Sequence, residues 1–178
     1  HEQRMKENKK KDGNGFERYQ KKRREADVRF LENDSAEFTK NGLRIMLTGL
    51  ELPMETYEKF RHMDVCGEDV ARQVGTASEG YFHILMAHNP VYFSGYKEWG
   101  ADLVLSGHLH GGIVRIPGWR GCITPQAFPF PMYSGELTTE EEHTIIVSKE
   151  LGTHTINIRL FNETEVVVLN IHGGHRYK

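Results

Sequence analysis

The rhythm of apolar and polar positions changes twice along the chain, at Leu43 and at Gly111. Before Leu43 apolar residues are sparse. Phe16 and Tyr19 stand three apart in a charged stretch, which sets both on one side of a helix and predicts one from Phe16 to about Ala26. The turn cluster Asp12-Gly13-Asn14-Gly15 separates it from residues 1–11. From Leu43 on, continuous apolar runs take over. Leu43 to Leu50 and Phe82 to His88 read as buried strands, Met54 to about Asp64 as a helix after the Pro53 break, and Gly75 to Gly80 as a loop. Asn89 is a good N-cap, Pro90 a good first helical residue and Gly100 a good stop, so a helix is predicted from Pro90 to about Trp99. Asp102 to Ser106 follows as a short strand. A strand, helix, strand unit with tight connections implies parallel neighbours and a right-handed crossover. Beyond Gly111 helical patterns vanish. Ile113–Ile116, Thr144–Ser148, Thr155–Leu160 and Glu165–Ile171 are β-rich runs divided by Gly, Pro and Asn, which predicts antiparallel strands in the C-terminal third and an α/β class overall.

A length of 178 residues predicts one domain or a piece of a larger one. With 38% hydrophobic, 27% charged and 10% aromatic residues, the chain has the composition of a soluble globular protein with a modest core. Apolar runs such as Ile84–Ala87 and Val166–Leu169 are far shorter than the roughly 20 residues a membrane span needs. Two cysteines, Cys66 and Cys122, build no disulfide framework and read as free thiols of a reducing compartment, with a cytoplasmic location as the default. The chain starts at His1 without an initiator Met or a signal-peptide pattern. It therefore reads as a fragment or processed product, and membrane attachment through a missing N-terminal segment stays open.

Charge is segregated. Residues 1–24 hold 10 Lys and Arg against 4 Asp and Glu, a charge of +6, which leaves −8 for the rest of a chain whose formal charge is −2. Such a basic stretch can meet nucleic acid or an anionic membrane surface, but Phe16 and Tyr19 favour an ordinary solvated helix with a docking stripe, and the nucleic-acid signal is not strong. The expected organisation is a basic helical segment over 1–27, strands and helices over 28–171, and a polar tail over 172–178.

Three of ten histidines carry the candidate chemistry. His88 ends one predicted parallel strand, and His108 and His110 lie just past the next, at the carboxyl edge where α/β sheets bind ligands. Neighbouring strands lie about 4.8 Å apart, so imidazoles leaving both ends can converge on metal at bond lengths of about 2.0 to 2.1 Å. Glycines flank the run Ser106-Gly107-His108-Leu109-His110-Gly111-Gly112 and permit the abrupt bend that would aim both histidines into one crevice. His62, His83, His143 and His154 lack clustered partners, and His172 and His175 lie in the tail.

Ala87-His88-Asn89-Pro90 followed by Ser106-Gly-His-Leu-His-Gly-Gly112 resembles the calcineurin-like metallophosphoesterase superfamily, in its bacterial small phosphohydrolase branch. Leu31-Glu-Asn33, Ser148-Lys-Glu-Leu-Gly-Thr153 and Ile158-Arg-Leu-Phe-Asn162 extend the likeness, which covers roughly residues 28 to 171. The resemblance implies part of a two-sheet αββα sandwich with mixed sheets. His1-Glu2 is similar to the end of the family's Gly-Asn-His-Glu motif, so the N-terminal half, with further Asp, Asn and His ligands, is expected to be missing and to act as a partner. Ile113 and Thr164 stand where relatives often carry Gln and Pro, departures that bear on substrate contacts and not on the ligands.

What the resemblance implies chemically is a dinuclear centre of two divalent ions, whose imidazole ligands suit Mn, Fe or Zn better than Mg or Ca. A bridging hydroxide then attacks a phosphomonoester or phosphodiester. Carried over, His88 and His108 belong to one ion and His110 to its neighbour, and His1 protonates the leaving oxygen. The substrate is a phosphorylated small molecule or lipid, and the fold does not choose among them. Trp119, Phe128, Phe130 and Tyr133 either line a pocket or pack a loop. Two rival readings are a catalytically incomplete metal-binding fragment and, more distantly, a nucleic-acid-binding module using the basic helix.

Overall fold

The computed structural model describes residues 15–53, 56, 64–112, 114–115, 121–123, 133, 135, 137–152 and 159–171. They divide into two units, His1–Phe30 and Leu31–Lys178. In the first, helix α1 spans Gly15–Glu25, with Glu17 in its first turn and Lys22, Arg23 and Arg24 in its last. That order sets acid at the positive and base at the negative end of the helix dipole.

The second unit is mixed α/β. Its elements are β1 (Asp34–Lys40), β2 (Leu43–Leu50), α2 (Gly67–Val74), β3 (Phe82–Ala87), a 3-10 turn (Pro90–Tyr92) leading into α3 (Phe93–Trp99), β4 (Leu103–Ser106), β5 (Val114–Arg115), β6 (Gly121–Ile123), β7 (Leu137–Glu140) and β8 (His143–Val147). Six strands form one sheet in the order β1-β2-β3-β4-β8-β7, and β5 and β6 form a two-stranded sheet. β2, β3, β4 and β8 run parallel, with Met86 beside Leu105 and Leu105 beside Ile146. β1 and β7 close the two edges antiparallel.

The central strands are mostly apolar because much of both faces is covered. Leu85, Ala87, Val104, Ile145 and Val147 pack on one face with Val70, Phe93, Tyr96 and Trp99, so α2 and α3 cover it. The alternating residues Ile45, Ile84, Leu103 and Ile146 form a second cluster. The α3 boundaries follow the expected chemistry. Asn89 Oδ1 accepts from the Val91 N–H at 3.2 Å, Pro90 opens the turn, and Gly100 ends the helix at φ 110.

Several sequence expectations need correction. The C-terminal third is not purely antiparallel: β8 joins β4 in parallel, and its Ile145, Ile146 and Val147 are buried inside the sheet. Glu165–Ile171, expected as a strand, has no regular secondary structure and pairs in no ladder among the described residues. β propensity alone does not make a strand without a neighbour to bond. Four elements were not anticipated, the short strands β6 and β7 and, more consequentially, β1 and α2. β1 reads Asp-Ser-Ala-Glu-Phe-Thr-Lys and is mostly exposed, an edge strand without an apolar run. α2 has a single buried residue, Val70, and starts at Cys66, an unusual cap residue supported by Asp69 Oδ2, which accepts from the Cys66 N–H at 3.0 Å. The helix expected over Met54 to Asp64 lies outside the described residues except at its Thr56 and Asp64 positions, as does most of Thr155–Leu160. Cys66 is an exposed free thiol. No helix among the described residues is long and apolar enough to cross a membrane.

Candidate metal centre

Three parallel strands end side by side at one edge of the sheet, and each is followed by a polar segment: His88 after β3, Gly107 to Gly112 after β4, Ser148 to Glu150 after β8. The ladder continues past the strand ends. Gly107 N–H donates to the His88 carbonyl at 3.2 Å and Ser148 N–H to the Ser106 carbonyl at 2.9 Å. Ser106 Oγ adds a bond to the Ala87 carbonyl at 2.6 Å. These contacts hold the histidine segment against its neighbours at the crevice side that α/β sheets use for ligands.

The backbone then bends sharply. Leu109 N–H reaches the Gly107 carbonyl at 2.8 Å with His108 between them at φ 71, which is the positive-φ form of a γ-turn. Gly112 N–H reaches the Leu109 carbonyl at 2.7 Å with His110 at φ 49 and Gly111 at φ 72, the sign pattern of a type I′ turn. Two consecutive turns thus reverse the chain within six residues. A Cβ at Gly111 would lie 2.6 Å from both Asn162 Oδ1 and Lys149 Cγ, and one at Gly107 would run into Glu150 Oε1.

The turns place the histidines unequally. His88 Nε2 and His108 Nδ1 face each other at 3.0 Å, their rings 4.7 Å apart and inclined by 67°. His110 is buried, and its Nδ1 lies 3.6 Å from Glu150 Oε2. Glu150 Oε1 also accepts from the His108 backbone N–H at 2.5 Å. Asn162, itself buried, donates from its amide to the His110 carbonyl at 2.7 Å and the Gly112 carbonyl at 2.6 Å. Arg159 gathers the carbonyls of His110, Lys149, Glu150 and Gly152. Lys149 is tied in turn to Glu165 by a backbone bond of 2.9 Å and an ion pair of 2.8 Å.

The His88 and His108 rings are in hydrogen-bond contact, with the donor set by the tautomer, and the same spacing is one that two nitrogen ligands of a divalent cation could have. Two nitrogens bound at about 2.0 to 2.1 Å lie about 2.9 Å apart at a right angle and about 3.4 Å apart at the tetrahedral angle, and the observed 3.0 Å falls between. Among the described residues no group of three or more His, Cys, Asp or Glu is arranged to hold a metal ion. Of the residues singled out from sequence, His88 and His108 come together, His110 stands against Glu150, and His1 lies outside the described residues. Elsewhere His83 is a core residue whose ring contacts the Ser78 carbonyl at 2.8 Å and the Trp99 edge, and His143 contacts the Ala101 carbonyl at 2.7 Å. Tyr133 donates to Glu140 at 2.7 Å, while Trp119, Phe128 and Phe130 lie outside the described residues.

Glu150, Arg159 and Asn162 were not picked out as site residues from sequence. They follow the histidine run by some 40 to 50 positions, and no spacing rule ties such residues to a turn. The one available signal was their place in the segments Ser148–Thr153 and Ile158–Asn162.

The chain is 27% identical over 148 residues to YpbG, an uncharacterised protein of Bacillus subtilis strain 168, a match covering 80% of this chain and 48% of that protein. It is 31% identical over 96 residues to YkuE of the same organism, named as an uncharacterised metallophosphoesterase, covering 53% of this chain and 32% of that protein. The chain thus spans half or less of the length of these curated relatives. No family model and no solved structure matches it.

Proposed function

We propose that the chain is part of a metal-dependent phosphoesterase and carries one group of its histidine ligands. The observation that supports this most is the His88 and His108 pair, held 3.0 Å apart by two parallel strand ends and a γ-turn. The likeness to a relative named as a metallophosphoesterase agrees with it. In this reading His88 and His108 serve one ion and His110 its neighbour, a division supported by the way His110 turns toward Glu150. The remaining ligands come from residues upstream in the same domain. When bound, two divalent ions, of Mn, Fe or Zn, supply an activated water and neutralise charge growing on the phosphoryl group.

The residues of this chain have narrower tasks. His88 and His108 offer lone pairs from neutral imidazoles, and the sheet edge keeps them on one side of the crevice. His1, by its resemblance, holds a proton for the leaving oxygen. A phosphorylated small molecule or lipid is the proposed substrate. The basic α1 is proposed as a contact for an anionic membrane surface.

The test is hydrolysis of an aryl phosphate and a bis-aryl phosphate by the full-length protein with Mn²⁺. His108→Ala and His110→Ala should each lower turnover by orders of magnitude. His1→Asn should depress turnover of substrates with poor leaving groups far more than good ones, with metal content unchanged. Activity surviving in both Ala variants would sink the reading. The rival of an incomplete metal-binding fragment has its own observation, the lack of a three-residue metal set among the described residues. It predicts that the 178 residues alone bind metal weakly and turn nothing over.

A further inference from the structure

We propose that Arg159 is a positioning residue of the histidine turn, the pin of a clasp that fixes this turn against the chain leaving β8. The inference rests on the metal-site reading above and concerns the backbone that carries the histidines. Arg159, Asn162 and Glu165 follow one another at three-residue intervals, and each bonds a backbone group at the carboxyl edge of the sheet. Arg159 Nη1 donates to the His110 carbonyl at 3.3 Å. Its Nη2 donates to the Lys149 carbonyl at 2.9 Å, the Glu150 carbonyl at 3.3 Å and the Gly152 carbonyl. Asn162 Nδ2 shares the His110 carbonyl at 2.7 Å, and Glu165 Oε1 accepts the Lys149 N–H at 2.9 Å. A single guanidinium thereby bonds the turn after β4 and the segment after β8 at once.

The residue type fits that task. Arginine offers five N–H donors in a rigid planar fork and accepts nothing, so one side chain satisfies carbonyls that diverge from two segments. Bonds from its charged donors are stronger than those between neutral groups. Arg159 Nε is buried and has no hydrogen-bond partner among the described residues, so the two Nη groups aim the guanidinium. The backbone around it takes positive φ at four residues other than glycine: His108 at 71, His110 at 49, Glu150 at 59 and Phe161 at 54. Such conformations persist only where the surroundings over-determine them, and they gather at functional sites. Asn162 bonds the turn at two carbonyls, and Arg159 is the one of the two that also bonds the β8 segment. Without Arg159 the turn keeps its Asn162 bonds but is freer to drift from the strand end. A ligand set displaced by more than about 0.5 Å loses its productive geometry.

Arg159→Lys and Arg159→Ala in the full-length protein test this. Lysine keeps the charge, but its single nitrogen cannot span the carbonyls of both segments. The first readout is amide hydrogen exchange without metal. The Leu109 and Gly112 N–H groups, which close the two turns, should exchange faster in both variants, while those of the buried core residues Leu85 and Val104 keep their rates. The second is Zn²⁺ affinity by calorimetry, which should fall about 10- to 100-fold in both, as for other groups that orient metal ligands from outside. The third is chemical rescue. Guanidinium, far below denaturing concentration, should restore turn protection and Zn²⁺ affinity to Arg159→Ala and leave Arg159→Lys unchanged. A residue that only adds stability would not respond in this way, since guanidinium weakens folding in general.

Should Arg159→Ala fail to fold, the exchange ratio between turn and core amides in Arg159→Lys decides. Unchanged exchange at the turn, equal acceleration of turn and core amides, or a folded Arg159→Ala that guanidinium does not rescue would overturn the assignment. Selective loosening of the turn with rescue, in a protein whose wild type binds no Zn²⁺ and hydrolyses no aryl phosphate, would uphold the clasp and remove the phosphoesterase reading. Full Zn²⁺ binding and turnover in both variants with an unchanged turn would remove the clasp and leave that reading standing, so the two failures are distinguishable.

Discussion

His108 and His110 both sit at positive φ, a conformation that costs an L-residue about 1 to 2 kcal/mol. It persists because the surroundings hold it, and Asn162 contributes most directly by donating to the His110 and Gly112 carbonyls. Asn162→Ala would remove a donor from the Gly112 carbonyl and one of the donors to the His110 carbonyl, which keeps its bond from Arg159 at 3.3 Å. The expected loss is about 1 to 3 kcal/mol of stability, read as a lower denaturant midpoint, with weaker Zn²⁺ binding beside it. Gly111→Ala should act on the same turn by a different route, forcing a Cβ onto Asn162 and Lys149 at a φ of 72. At this scale the sequence disclosed the glycines and the histidines, and the bend they permit. It could not disclose the partners, because Glu150, Arg159 and Asn162 reach the turn only through chain reversal.

Besides the buried core, elements are joined by polar contacts at partly exposed positions. Lys97 on α3 pairs with Glu140 on β7 at 2.7 Å, and Tyr133 donates to the same carboxylate. The bond from Lys97, then that from Tyr133, holds the Glu140 carboxyl below its ordinary value of 4.5. The same bond to Glu140 holds Lys97 above its ordinary 10.5. A lowered carboxyl contributes stability that is fully present above 4.5 and is lost as pH falls through its depressed value. A raised amine contributes below 10.5 and loses its share as pH climbs through its elevated value. The pair is therefore intact across the neutral range. Because both side chains are partly solvated, Glu140→Gln should cost only about 0.2 to 1 kcal/mol at neutral pH. That difference should shrink as pH is lowered below 4.5 and through the depressed value of Glu140 in denaturant titrations; a constant difference would refute the linkage.

Legibility of elements followed burial. β2 and β3 were read closely because both faces are apolar, and the 3-10 turn and α3 because Asn89, Pro90 and Gly100 mark their ends. β1 and α2 were missed because one is an exposed edge and the other buries one residue. Glu165–Ile171 failed in the opposite sense, since a strand is a relation between two segments and composition describes one.

Among the described residues, several large apolar side chains near the C-terminal end of the chain are exposed. Leu160, Phe161, Val166, Val168 and Ile171 are all exposed, Val168 at 79%. Large exposed apolar side chains grouped within twelve residues of sequence favour association when they come together on the surface. The 178-residue chain by itself should accordingly bind a hydrophobic dye and self-associate. Val166→Asp with Val168→Asp should reduce both while moving stability by no more than about 0.5 kcal/mol, as expected of solvated positions. Unchanged dye binding in the double variant would locate the apolar surface elsewhere.

The boundary between sequence and tertiary structure runs along distance in the chain. Burial on two faces, helix caps and the turn-permitting glycines are local properties, written in periods of two to four residues, and the sequence alone determined them. From these follow the α/β class, the parallel β3 and β4, and the placement of His88 and His108 at one sheet edge. Only the folded chain decided that β8 lies parallel beside β4, and with it that Glu150 arrives at the histidine turn and Asn162 beneath it. Strand order is settled by which apolar faces pack together over separations of some 40 residues, and no local pattern encodes that choice.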